Sequence, residues 1–156
     1  MIKELNLNYP WVRRRVVGLQ RAAFHIERGL YPDIDIPPLR VDMATLLDGE
    51  QVYLGFQKRF RTIGMVSYRY EGPTVEICRL MVARPHWRQG IGRRLIEAVE
   101  ARERSAKSYR VVAAQANTQA LAFYAKAGYR PAGRFEGVPG VILERMEKKG
   151  PRWTGP

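Results

Sequence analysis

The chain has 156 residues and a formal net charge of +12, with 27 Lys and Arg against 15 Asp and Glu. That length fits one domain with a sizeable core. The lone cysteine, Cys78, excludes an internal disulfide and suits a reducing, cytoplasmic setting, and two scattered histidines give no zinc-ligand spacing. No apolar run is long enough to span a bilayer, and Met-Ile-Lys-Glu-Leu-Asn does not read as a secretory signal. The basic residues are spread along the chain with no zinc-finger or RNA-recognition aromatic motif, so the charge suits nucleic acid, ligand phosphates or an acidic partner without choosing among them.

Ile2, Leu5 and Leu7, with Lys3, Glu4 and Asn6 between them, predict a short first strand. Pro10 sits where a helix start tolerates it, and Val12, Val16, Leu19, Ala22, Ala23 and Ile26 recur at helical spacing through residue 28, where Gly29 ends the run. Arg13, Arg14 and Arg15 read as a solvated face or a binding patch. Residues 31–39 are too rich in proline for a helix interior, and residues 40–47 predict a short second helix. Residues 51–59 and 62–70 read as an antiparallel hairpin, and Gly72-Pro73 turns the chain into a fourth strand, Val75 to Val82.

That strand is apolar and rich in β-branched residues, the composition of a buried strand, so Cys78 reads as a small core residue, with nucleophile as the rival reading. Arg84-Pro85-His86-Trp87 breaks it. Gly90-Ile91-Gly92 then opens a helix whose apolar residues Ile91, Leu95, Ile96 and Val99 keep helical spacing to about residue 105. Strand, glycine turn and helix in that order place unpaired backbone N–H groups at a helix start, where the dipole also favours an anion. Arg88, Arg93 and Arg94 add charge suited to phosphate. On these residues alone a phosphate cradle and a plain turn both remain open. The dinucleotide fingerprint and the Walker loop are excluded, because the third glycine and the Gly-Lys-Ser/Thr are missing.

Residues 110–115 predict the next strand, parallel to the strand before the helix by the usual right-handed crossover. Asn117-Thr118 caps a helix over 119–126 that stops at Gly128, and residues 129–135 and 141–147 close the sheet. The predicted order is βααβββαβαββ: an α/β (α+β) fold with a mixed, mostly antiparallel sheet of about seven strands and about four helices. Residues 1–148 read as one domain, and 149–156 as a frayed tail.

Val82 through Leu95 resembles motif A of the GNAT superfamily of acyl-CoA-dependent N-acyltransferases, in which a strand is followed by Gln/Arg-x-x-Gly-x-Gly/Ala at a helix start. The six positions here are Trp87, Arg88, Gln89, Gly90, Ile91 and Gly92, with Trp87 departing from the pattern at the first. Residues 117–129 resemble the family's motif B, an Asn before a helix carrying Phe-Tyr that ends at Gly-Tyr. The two motifs stand in the family's order, and the predicted elements match its layout across nearly the whole chain.

The resemblance implies an N-acetyltransferase that moves an acetyl group directly from acetyl-CoA to a primary amine of a small molecule or protein, without a metal. It implies that backbone groups at Leu80, Met81 and Val82 pair with the pantetheine arm, that amides of Arg88, Gln89, Gly90, Ile91, Gly92 and Arg93 hold the pyrophosphate, and that Asn117 bonds the arm, with Phe123 and Tyr124 beside it. Trp87 would alter the pocket wall. By the same resemblance Glu76 takes the amine proton, Tyr124 serves the departing thiolate, and Tyr31, Asp33 and Asp35 face the amine. Each has a plainer reading: Glu76 as a strand residue paired with an arginine, Phe123 and Tyr124 as core aromatics, the loop acids as surface. His86, near the phosphate loop, reads as structural. Two rival functions stand beside the enzyme: a coenzyme A-binding fold without transfer, and a basic protein bound to RNA or the ribosome. Homodimers are common in the family.

Overall fold

The computed structural model describes residues 1–29, 50–153 and 155; the predicted connector 31–39 and helix 40–47 lie outside them. In chain order the elements are β1 (Ile2–Glu4), α1 (Pro10–Arg28), β2 (Val52–Lys58), β3 (Arg61–Glu71), β4 (Thr74–Val82), a single 3-10 turn (Arg84–His86), α2 (Ile91–Arg102), β5 (Ser108–Ala114), α3 (Thr118–Lys126), β6 (Arg130–Glu136) and β7 (Ile142–Lys149). They form one seven-stranded sheet in the order β1-β2-β3-β4-β5-β7-β6. β4 and β5 are parallel and every other neighbouring pair is antiparallel. This is the mixed, mostly antiparallel sheet that the sequence predicts. β1 is shorter than predicted, because Leu5 and Leu7 leave the strand to pack beneath α1.

Alternation along the strands feeds two cores. On one face Val66, Tyr68, Val75, Ile77, Tyr109 and Val111 meet Ile91, Leu95, Ile96 and Val99 of α2 and Tyr124 of α3. On the other, Tyr53 and Met65 meet Val16 and Leu19 of α1. The period-2 pattern of strands and the 3.6 period of helices thus give one sheet clad on both faces.

The alternation breaks once in β4. Ser67 pairs with Arg79 and Tyr68 with Ile77, so Cys78 is an extra residue with no partner on β3. A bulge of this kind shifts every later side chain by one place. Glu76 and Arg79, three residues apart, would face opposite ways in a regular strand. Here both face α1: Glu76 lies opposite Arg69, and Met81, two residues past Arg79, packs into the α1-side cluster. The predicted burial of Cys78 is corrected by the same feature, for the looped-out thiol is exposed.

The chain end is held further along than predicted. β7 runs through Lys149, the Gly150 amide donates to the Lys107 carbonyl at 2.7 Å, and a Cβ at Gly150 would stand 2.0 Å from the Ala106 oxygen. The backbone at 150 therefore has no room for a side chain. Gly150→Ala should lower stability by about 1–3 kcal/mol, the usual range for overpacking, read as a lower urea midpoint with an unchanged slope.

Candidate active site

β4 and β5 pair over four residues only, from Thr74–Ser108 to Ile77–Val111. Beyond that, β5 stays bonded to β7 as far as Ala114–Leu143 while β4 continues on β3 as far as Val82–Gly64. The β5-facing edge of β4 is therefore left without a strand partner from Cys78 onward, and Leu80, Met81 and Val82 lie on this open stretch. Such an edge offers backbone donors and acceptors to an extended ligand.

The end of that edge meets the start of α2. Gly90 is the N-cap in a left-handed conformation, φ 77°, and no side chain caps the helix. The first intrahelical bond runs from Arg94 N to Gly90 O at 3.1 Å, so the amides of Ile91, Gly92 and Arg93 precede the ladder and are free to hold an anion. Gly92 gives close access, since a Cβ there would lie 3.3 Å from the Phe123 ring and 4.0 Å from Val82. Three predicted site residues from three elements thus converge. Phe123 in turn meets Tyr124 edge-on at 5.2 Å, and Tyr124 meets Tyr129 at 5.9 Å.

Several predicted side chains are engaged within the protein. Arg93 donates to Glu97 at 3.0 Å and to the Lys126 carbonyl at 3.2 Å, tying α2 to α3, and Arg94 lies 4.9 Å over the Phe56 ring. Arg88, with φ 61°, and Gln89 are exposed at the turn. Asn117 caps α3, its Oδ1 accepting from the Ala120 amide at 3.1 Å, which leaves its amide nitrogen as the end able to donate. Trp87, where the motif has Gln or Arg, donates its indole N–H to the Val82 carbonyl at 2.7 Å. It closes the last carbonyl of β4 and sits under Arg84, 5.6 Å away.

On the α1 face a cavity of about 410 Å³ opens against β4, lined by Gln20 of α1, Gln51, Arg69 of β3, and Glu76, Cys78 and Arg79 of β4. Glu76 accepts from both Nε and Nη2 of Arg69, at 3.0 and 2.8 Å, through the single oxygen Oε2. The arginine partner that the plainer reading of Glu76 foresaw is thus present. Cys78 reaches solvent, yet partial burial pushes its thiol above the ordinary value, with Arg69 pulling the other way, which disfavours the reactive thiolate. Glu76 and Tyr124 lie on opposite faces of the sheet, beside the strands β4 and β5 that part beyond Ile77–Val111. Arg79, Gln20 and Gln51 were not singled out from the sequence, because nothing local marks the bulge that turns Arg79 toward α1.

A family model described as the acetyltransferase (GNAT) family matches residues 19–129. The chain belongs to that family. Among curated proteins it is 29% identical to the UPF0157 protein YqkA of Bacillus subtilis (strain 168) over 92% of its own length, and it spans 42% of that relative. Among solved structures it shares its fold with the PaiA N-acetyltransferase of Thermoplasma acidophilum in complex with coenzyme A, with a TM-score of 0.75, 17% identity, and 96% and 98% of the two chains covered. An aminoglycoside 6'-N-acetyltransferase complexed with coenzyme A gives a TM-score of 0.74 at 16% identity, covering 96% of both chains. The predicted family and fold are those found.

Tyr124 is buried and its hydroxyl makes no hydrogen bond to a described residue; desolvation pushes its pKa above the usual 10.0. Tyr129 is raised as well, by desolvation first and by Glu100 next. Raised folded-state values mean that the folded protein holds these protons more tightly than the unfolded chain. Their contribution to stability is complete below the unfolded pKa and falls as pH rises from there toward the folded values. Ultraviolet titration should therefore show Tyr124 and Tyr129 among the last of the eight tyrosines to ionise. The urea midpoint should begin to fall near pH 10, and Tyr124→Phe should make that fall shallower.

Proposed function

We propose that residues 1–148 form an N-acetyltransferase domain that moves an acetyl group from acetyl-CoA directly to a primary amine. The observation that carries this reading is the β4 edge left open beyond Ile77–Val111, running into an uncapped helix start at Gly90. An extended arm ending in a pyrophosphate is the ligand shape that such a strand edge and anion cradle would hold. Leu80, Met81 and Val82 would pair with the arm through their backbone, and the amides between Arg88 and Arg93 would take the phosphates. Asn117 would donate from its amide nitrogen, while Phe123 and Gly92 shape the wall. Bound there, acetyl-CoA supplies a thioester carbonyl held beside the amine, which removes much of the entropic barrier.

The amine must lose a proton before it attacks. Glu76 is assigned that proton, through Oε1, since Oε2 is engaged by Arg69. A C–N bond forms as the C–S bond breaks, and a β4 backbone N–H in the gap would stabilise the charge developing on the acyl oxygen. The departing sulfur needs a donor. Tyr124, desolvated and held protonated, would supply a hydrogen bond and then its proton as the charge builds up. Its raised pKa puts the weight on hydrogen bonding, because a thiolate is a weaker base than such a phenolate.

Calorimetric titration should give micromolar affinity for acetyl-CoA, and absence of binding would sink the reading. Tyr124→Phe should lower kcat by about 10–100-fold, the worth of one hydrogen bond to a charged atom. Glu76→Gln should lower it by about 100-fold or more, as expected for loss of a general base. Both variants should keep acetyl-CoA affinity within about threefold of the parent, because neither residue holds the phosphates. Unchanged rates in both would remove these two assignments.

A further inference from the structure

Among the described residues, the charged groups around the α1-side cavity are matched with an opposite charge except one. Arg69 is held by Glu71 at 2.9 Å and Glu76 at 2.8 Å, and Arg110 is paired with Glu71 as well. Arg79 is half-buried and has no carboxylate partner among the described residues. Its Nη1 donates to two neutral groups, Gln51 Oε1 at 2.6 Å and the Tyr53 hydroxyl at 3.0 Å. Burial raises the Tyr53 pKa, so that hydroxyl stays neutral. A half-buried guanidinium without a counter-charge, with N–H groups to spare, favours an anion in the same cavity.

A second observation points the same way. Gln20, another wall of the cavity, is only 5% exposed, and its Oε1 is buried without a hydrogen-bond partner. A buried acceptor of this kind calls for a donor from whatever fills the space. Glu76 Oε1, free of Arg69, offers a further acceptor beside it. The cavity therefore presents both kinds of partner, an unmatched cation and unmatched acceptors.

We infer that the acetylated amine also carries a carboxylate, which Arg79 receives while Gln20 and Glu76 receive the ammonium. The inference rests on the transferase reading above and narrows its substrate class to amino acids and their close analogues. The β3 partners of Glu76 and Arg79 are Arg69 and Ser67, two residues apart, which is about 7 Å along a strand. That is a short span, suited to ammonium and carboxylate groups within one small molecule. The planar guanidinium matches a carboxylate with two parallel bonds. A polyamine or any other polycationic amine would meet Arg79 as a like charge.

Matched pairs that differ only in the carboxylate decide the matter: tyrosine and tyramine, lysine and cadaverine, histidine and histamine, tryptophan and tryptamine. Each is incubated with the protein and acetyl-CoA, and acetylated product is followed by mass spectrometry. At least one amino acid should be acetylated with kcat/KM about tenfold or more above its decarboxylated partner, as expected for a charge-assisted pair. Arg79→Gln should bring that ratio to about one, chiefly through the KM of the amino acid, with the KM for acetyl-CoA unmoved. Arg79→Lys, which keeps the charge and loses the fork, should retain part of the preference and so exclude a general folding defect. The inference is overturned by decarboxylated amines reacting equally well or better, by a preference that survives Arg79→Gln, or by a protein that binds acetyl-CoA and acetylates none of the amino acids. Failure to bind acetyl-CoA, seen by titration without any amine, would instead remove the transferase reading and this inference with it.

Discussion

One looped-out residue in β4 sets the geometry on both sides of the sheet. Before Cys78, β4 is bonded to β3 and β5; after it, only to β3. The bulge bends the strand and strengthens its twist, and the parallel ladder to β5 ends at the same place. On the α2 face, Val75 and Ile77 before the bulge and Leu80 and Val82 after it keep the apolar register. On the α1 face, Glu76 is followed by Arg79 and Met81. The opening between β4 and β5 and the cavity that juxtaposes Glu76 with Arg79 thus both meet at a single inserted residue.

The excess positive charge is spread over different tasks. Arg69, Arg93, Arg102 and Lys148 each pair with an acid, and Lys148, by also bonding the Ala127 carbonyl at 2.9 Å, ties β7 to the end of α3. Arg15 reaches from α1 to the Thr62 carbonyl at 2.7 Å, fixing that helix to the β2–β3 hairpin. Exposed pairs of this sort contribute little stability each. Arg102 with Glu4 and Lys148 with Glu100 tie α2, the helix that carries Gly92, to the sheet.

Most of the architecture was legible in the sequence because it follows from period. Alternation marked the strands, 3.6-residue spacing marked α1 and α2, and Asn117 and Gly128 marked the ends of α3. The glycine pair at 90 and 92 was legible for a different reason: one residue takes a left-handed φ and the other lies where a Cβ would stand 3.3 Å from the Phe123 ring. What could not be read was the change of side in β4. Ile77-Cys78-Arg79 carries no glycine or proline to mark a bulge, and its effect is felt only across the strand pair. Cys78 was therefore placed in the core, and Arg79 was not singled out. The role of Trp87 was hidden too, since its partner is the carbonyl of Val82, five residues back.

That indole bond bears on how the site tolerates its departure from the family motif. The pattern asks for Gln or Arg at the first position, but the proposed cradle is made of backbone amides, and those depend on the course of the turn more than on any one side chain. Trp87 fixes that course from the other end. By taking the Val82 carbonyl at 2.7 Å it ties the turn to the last residue of β4, and the Arg84 guanidinium covers its ring. Arg88 can then hold its left-handed φ of 61°, a costly conformation for a residue with a Cβ that requires support from its surroundings, while Gly90 takes its φ of 77° at no such cost. The substitution exchanges a polar side chain at the rim for a brace beneath the loop, and the amides of Ile91, Gly92 and Arg93 keep their place at the helix start.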